Sequence, residues 1–170
     1  GRRAGLGVSR AGVGGRPDQG VGGCGKAGTG TWTRSGTNTA GQRWSINAGT
    51  LAVNGTMANS TMTVNNGGTL SGTGTVGSAT VNTGGTFVPG GGTPGTSMPL
   101  AGNLSFQSGA IYMVQLNPTT TSSATITGAA TLGGATVSAS FTNGSFISKQ
   151  YTNLTAGSIS GTFNPRVTNS

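Results

Sequence analysis

The chain has 170 residues, and Gly (35), Thr (29), Ser (18) and Asn (13) together fill 95 of them. Leu, Ile, Val and Phe number only 29, fewer than a compact globule normally carries, yet charged residues are just 6 %, so disorder driven by self-repulsion does not fit either. The net charge is +8, with no His, one acidic residue and one Cys, so tuned acid–base pairs, metal-ligand clusters and an internal disulfide have nothing to be built from.

In chain order, residues 1–28 read as a disordered, basic, Gly/Arg-rich arm. Arg2, Arg3, Arg10, Arg16, Lys26, Arg34 and Arg43 carry seven of the nine positive charges, whereas residues 44–170 hold only Lys149 and Arg166. The basicity is therefore assigned to an N-terminal arm rather than to a folded surface. Such an arm can bind phosphate backbones, but residues 1–31 lack the aromatics that stack on bases. Cys24 has no second cysteine in the chain to pair with. The sequence begins with Gly and shows no signal-peptide core or transmembrane run, and we read it as a fragment. A Ser or Thr nucleophile would have only Lys26 or Lys149 as its base, so no catalysis and no cofactor are expected.

Residues 29–99 are organised by a repeat. The units are Ile46-Asn47-Ala48-Gly49-Thr50-Leu51, Val64-Asn65-Asn66-Gly67-Gly68-Thr69-Leu70 and Val81-Asn82-Thr83-Gly84-Gly85-Thr86-Phe87. Aligned on Thr50, Thr69 and Thr86, they lie 19 and 17 residues apart. The Gly-containing turns supply positive φ at little steric cost, and the flanking Val, Leu and Phe favour strands. Asn47, Gly49, Leu51, Asn66, Gly68, Leu70, Asn82, Gly85 and Phe87 are the turn and repeat positions. A series of antiparallel hairpins is one reading. A solenoid accounts better for a turn recurring with the same residues on the same side. Its coils would rise about 4.8 Å each and share one thin core, stacking Asn on Asn and Leu on Leu. Some 18 to 20 residues per coil would give about six or seven coils. Trp32 and Trp44 flank the first coil and are read as its cap. Gly72-Thr73-Gly74-Thr75-Val76-Gly77 matches a dinucleotide fingerprint, but no helix or acidic residue follows, so it is a turn. The Asn-x-Ser/Thr sequons are those expected by chance in this composition.

Pro89-Gly90-Gly91-Gly92-Thr93-Pro94-Gly95 interrupts the period. Beyond it, residues 100–170 offer strands at Leu104-Ser105-Phe106, Tyr112-Met113-Val114-Gln115-Leu116, Ala124-Thr125-Ile126-Thr127, Ala135 to Phe141 and Phe146-Ile147. Degenerate fourth and fifth units stand at Phe106-Gln107-Ser108-Gly109-Ala110-Ile111 and Leu132-Gly133-Gly134-Ala135-Thr136-Val137. This half holds most of the aromatic residues.

Gly30-Thr31-Trp32-Thr33, Asn47-Ala48-Gly49-Thr50-Leu51 and Gly67-Gly68-Thr69-Leu70-Ser71-Gly72-Thr73-Gly74 resemble the passenger-associated repeat of bacterial autotransporters. Downstream, Gly102-Asn103-Leu104-Ser105-Phe106, Gly109-Ala110-Ile111-Tyr112, Thr127 to Ala135, and Tyr151-Thr152-Asn153-Leu154-Thr155-Ala156 with Gly161-Thr162-Phe163-Asn164-Pro165 are similar to the autochaperone-like junction before the outer-membrane barrel. Ser123-Ala124 stands where the family often has an acidic residue, and Asn153 where it has an apolar one. The resemblance implies an all-β, single-stranded right-handed parallel β-helix, exported by type V secretion and displayed at the cell surface or outer membrane, or secreted. It also implies a C-terminal β-barrel partner in the full-length protein. The passenger would act as a structural stalk whose C-terminal coils nucleate folding, with Phe106, Tyr112, Val114, Leu116, Leu132, Tyr151, Leu154 and Phe163 as the nucleus core. Alternatives are a self-standing adhesin contacting host or neighbouring cells, and a nucleic-acid-binding protein acting through residues 1–43.

Overall fold

A computed structural model describes residues 8–11, 18–20, 23–146 and 150–169. Part of the predicted Phe146-Ile147 strand, and Lys149, lie outside them. Within the described residues, seventeen strands run β1 Val8–Ala11, β2 Asp18–Gly20, β3 Gly23–Lys26, β4 Thr31–Arg34, β5 Arg43–Ile46, β6 Gly49–Val53, β7 Thr56–Val64, β8 Gly68–Gly72 and β9 Thr75–Val81. They continue as β10 Thr86–Pro89, β11 Ser97–Leu100, β12 Leu104–Phe106, β13 Ile111–Leu116, β14 Ser123–Thr131, β15 Thr136–Phe141, β16 Leu154–Ser160 and β17 Val167–Asn169. Apart from a three-residue 3-10 turn at Gly90–Gly92, the described chain forms no helix.

The strands form two sheets. One runs β1-β4-β6-β8-β10-β13-β15-β17; the other runs β11-β14-β12-β9-β7-β5-β3-β2, with β16 beside β14. From β3 to β10 the chain alternates between the sheets, so each strand reaches its parallel neighbour by way of the opposite sheet. Pairing is parallel from β3 onward, which overturns the hairpin reading and is compatible with a solenoid. Among named strands only β1 on β4 and β2 on β3 pair antiparallel, at the N-terminal edges of the two sheets.

Alternation of side chains builds the core. In the first sheet, Trp32, Leu51, Leu70, Phe87, Tyr112 and Val137 are successive register partners, and all are buried. In the second, Lys26, Ile46, Val64, Val81 and Phe106 form an inward row. A parallel inward row runs Cys24, Trp44, Met62, Ala79, Leu104, Ala130, so bulky and small side chains share one thin interior. In the second sheet the register shifts between Met57 and Thr61 and between Ile126 and Ala129.

The register also shows what becomes of the weak units. Thr86 pairs with Ile111 and Ile111 with Thr136, so the spacing grows from 17 to 25 residues without loss of register. Between Thr86 and Ile111 the added length is taken up by the Gly90–Gly92 turn and the loop after it.

Two expectations for the N-terminal stretch need correction. Gly23–Lys26 lies inside the span assigned to a disordered arm, yet it pairs in parallel with Arg43–Ile46, so the stack begins at Gly23 and not at 29. Strands β1 and β2 also fall within that span. Gly-Cys-Gly-Lys carries too little apolar character to reveal its inward face; the pairing edge offered by β5 determines it.

Candidate functional site

No catalytic constellation was expected from the sequence, and the arrangement worth describing is a set of side-chain rows and two contrasting ends. At the turn preceding β6, Asn47 opens an amide ladder. Asn65 Nδ2 donates to Asn47 Oδ1 at 2.7 Å, and Asn82 Nδ2 donates to Asn65 Oδ1 at 2.8 Å. The expected Asn66 is off this ladder: of the Asn65-Asn66 doublet, the first residue stacks, and Asn66 is exposed one position further into the turn. Gly49 pairs with Gly68, and Leu51 with Leu70. Gly85 completes the next turn, its N–H donating to the Asn82 carbonyl at 2.8 Å. Phe87 belongs to the buried row but also reaches the C-terminal aromatic residues.

The outward faces carry hydroxyl rows. Ser45, Thr63, Thr80, Ser105, Thr131 and Ser160 are successive partners on the second sheet. Thr31, Thr50, Thr69 and Thr86 are successive partners on the first. Since residues 44–148 contain no charge, most of this surface is neutral and hydroxyl-rich.

At the C-terminal end, three of the eight residues read as nucleus core, Phe106, Tyr112 and Phe163, are in ring contact. The Phe106 and Tyr112 rings lie 5.5 Å apart, and Phe163 lies 6.0 Å from Phe106 and 5.6 Å from Tyr112. Phe87 joins them at 6.2 and 5.9 Å, a member that the repeat pattern had placed elsewhere. Val114, Leu116 and Leu132 are buried, while Tyr151, Leu154 and Phe163 are partly buried against the same core. The Tyr112 hydroxyl donates to the Asn153 carbonyl, and the Tyr151 hydroxyl to the Asn117 carbonyl at 3.0 Å. Burial pushes the Tyr112 phenol above its ordinary range, because the phenolate would lose its hydration. Phe141, Ile159 and Val167 remain exposed.

The N-terminal end is the surprise. Lys26 and Arg34, assigned by composition to a basic arm, are 0 % and 3 % exposed and point into the interior. An inward alternation at Cys24/Lys26 and Trp32/Arg34 was the available signal, but charge ordinarily marks a solvated position. Lys26 Nζ donates to the carbonyls of Gly28 (2.7 Å), Ala48 (3.0 Å) and Ala27 (3.3 Å), and lies 5.2 Å from the Trp32 ring centroid. Arg34 Cζ lies 5.4 Å from the Trp44 ring centroid. Burial lowers the pKa of both cations. Trp32 and Trp44 are core residues here, 1 % and 2 % exposed, and present no free stacking face. Gly49 protects the lysine: with φ at +65°, a Cβ there would stand 2.6 Å from Lys26 Nζ and strike the Gly28 and Gly30 carbonyls.

Compared with protein-family models and with curated proteins, the chain matches none.

Proposed function

We propose that the chain is part of an autotransporter passenger: a right-handed parallel β-helix of six or seven coils that serves as a non-catalytic stalk at the bacterial cell surface. In this reading the coils beyond residue 100 nucleate folding, and a C-terminal outer-membrane barrel belongs to the full-length protein. The observation that carries it is the in-register parallel row from Trp32 to Val137, which makes a rod from a sequence poor in apolar residues. The aromatic cluster around Tyr112 favours the nucleation role, since it concentrates large apolar contacts in one half. Sequencing the locus 3′ of the Ser170 codon tests the reading. A series of roughly 10-residue segments of alternating hydrophobicity separated by turns is the expected result. A stop codon within a few dozen codons overturns it.

A second reading, a self-standing adhesin, is favoured by the uncharged hydroxyl rows. It requires the purified chain to be retained on cell surfaces or immobilised neutral polysaccharide, and loss of retention when Thr63 and Thr80 are replaced by Lys. For a nucleic-acid role through residues 1–43, burial of Lys26 and Arg34 removes two of the seven cations on which that role would draw.

A further inference from the structure

The chain contains three Asn-Gly pairs: Asn54-Gly55, Asn66-Gly67 and Asn143-Gly144. Glycine has no Cβ to screen its backbone nitrogen, so an Asn-Gly pair is the least hindered setting for attack on an asparagine side chain. The glycine nitrogen, once deprotonated, can bond to the asparagine Cγ. Whether it does depends on what already holds that N–H, because a bonded amide must first be released by local opening. All three asparagines are exposed, so access to water does not distinguish them.

The hydrogen bonds do. Gly55 donates its N–H to the Arg34 carbonyl at 3.0 Å, an acceptor it shares with the Asn54 N–H, and Asn54 Oδ1 accepts from the Thr73 N–H at 3.3 Å. Gly67 donates to the Gly84 carbonyl at 3.2 Å. Each of these glycines is thus tied to a neighbouring turn of the stack. Asn143-Gly144 is different. The register of β15 with β13 ends at Phe141, and the Thr142 N–H, donating to the Leu116 carbonyl at 2.9 Å, anchors the next residue. Beyond it, neither the Gly144 N–H nor the Asn143 side chain has a hydrogen-bond partner among the described residues, and residues 141–146 are exposed throughout.

We propose that Asn143 is a self-modification site, at which the folded chain converts asparagine to aspartate and isoaspartate while sparing Asn54 and Asn66. The Gly144 nitrogen bonds to Asn143 Cγ, and the bond from Cγ to the side-chain nitrogen breaks. The proton lost by Gly144 ends, by way of solvent, on that departing nitrogen, which leaves as ammonia. Water then opens the resulting succinimide at either carbonyl, giving aspartate or, with the main chain rerouted through Cγ, isoaspartate. Water is the only co-reactant. The product is a carboxylate within residues 44–148, a stretch with no charge of its own. The isoaspartyl form also lengthens the backbone between Phe141 and Phe146, whose rings meet edge-on at 5.3 Å. This inference does not depend on the surface role proposed above.

The full chain is incubated at mildly alkaline pH in its folded state and, in parallel, unfolded in urea. Tandem mass spectrometry of its peptides follows the amide-to-acid conversion at each asparagine, and an isoaspartyl carboxyl methyltransferase with a labelled methyl donor counts isoaspartate. In the folded chain Asn143 is expected to convert about tenfold or more faster than Asn54 and Asn66, which react only from a locally opened coil. In urea the three rates come together. Asn143→Gln removes most of the methyl acceptance of the folded chain. Equal rates at the three pairs in the folded chain, or faster conversion at Asn54 or Asn66, overturn the proposal. So does an Asn143 that stays intact in the folded chain while the unfolded chain converts. A preference for Asn143 that persists unchanged in urea would belong to the local sequence and overturns it as well.

Discussion

The ring of Tyr112 on β13 lies 5.6 Å from that of Phe163, with the two planes only 6° apart. The two residues are 51 positions apart in the chain. The stack therefore fixes the segment after β16 to the buried row of the first sheet, and with Phe106 and Phe87 it forms a four-ring aromatic cluster.

Removing the centre of this cluster is expected to cost more than removing its edge. Phe106 is 2 % exposed, so Phe106→Ala should lower unfolding stability by about 3–5 kcal/mol. Phe163 is only partly buried, and Phe163→Ala should cost about 1–3 kcal/mol. Urea unfolding curves of the two variants measure the difference; equal losses would mean that the partly buried ring contributes as a core residue does.

The amide ladder separates two adjacent asparagines. Asn65→Ala removes the bonds to both Asn47 and Asn82 and should destabilise by about 1–2 kcal/mol. Asn66→Ala, one residue on and exposed, should stay within about 0.5 kcal/mol of the parent. Thermal melts of both proteins check the contrast, and a larger loss at Asn66 would put the ladder in the wrong register.

Gly49→Ala should destabilise by more than about 1 kcal/mol, since the added methyl meets both a positive φ and the carbonyl cage of Lys26. Pairing it with Lys26→Met tests the mechanism. If the methyl acts through the ammonium, the double variant loses less than the sum of the single losses in a double-mutant cycle.

Alkaline pH should act through Tyr112. Its phenol is held above the unfolded value, so the unfolded chain gives up that proton first. The stabilisation is therefore complete below about pH 10 and is lost as pH rises beyond it. Lys26 works in the opposite sense: its pKa is lowered by burial, so its contribution improves with rising pH up to the unfolded lysine value. Tyr112→Phe should thus be less stable than the parent at pH 8, for want of the bond to the Asn153 carbonyl, but should show a shallower decline above pH 10. Denaturant midpoints across pH 8–11 provide the check.

How much of this was legible in the sequence depended on whether like residues fell in like places. Leu51, Leu70 and Phe87 announced a buried row because the same residue type follows the same Thr at nearly constant spacing. Tyr112 and Val137 belong to that row as well, but at 25-residue spacing, where longer connections blur the period. The Asn65-Asn66 doublet gives no local reason to prefer either residue for the ladder; only the amide contacts to Asn47 and Asn82 distinguish them. For Gly23–Lys26 and the buried Lys26 and Arg34, the alternation of Cys24 with Lys26 and of Trp32 with Arg34 is the one signal, and residue type opposes it. Glycine hides a strand's inward face, and cations are ordinarily signs of solvent, so their placement follows from partners on β5 and β6 rather than from their own chemistry.

The nucleation claim is tested most directly by pulse-labelled hydrogen exchange during refolding from urea. The account predicts that amides of β12, β13 and β15 become protected before those of β6 and β8. Protection arising first in β6 and β8, or at the same time in both halves, would contradict it.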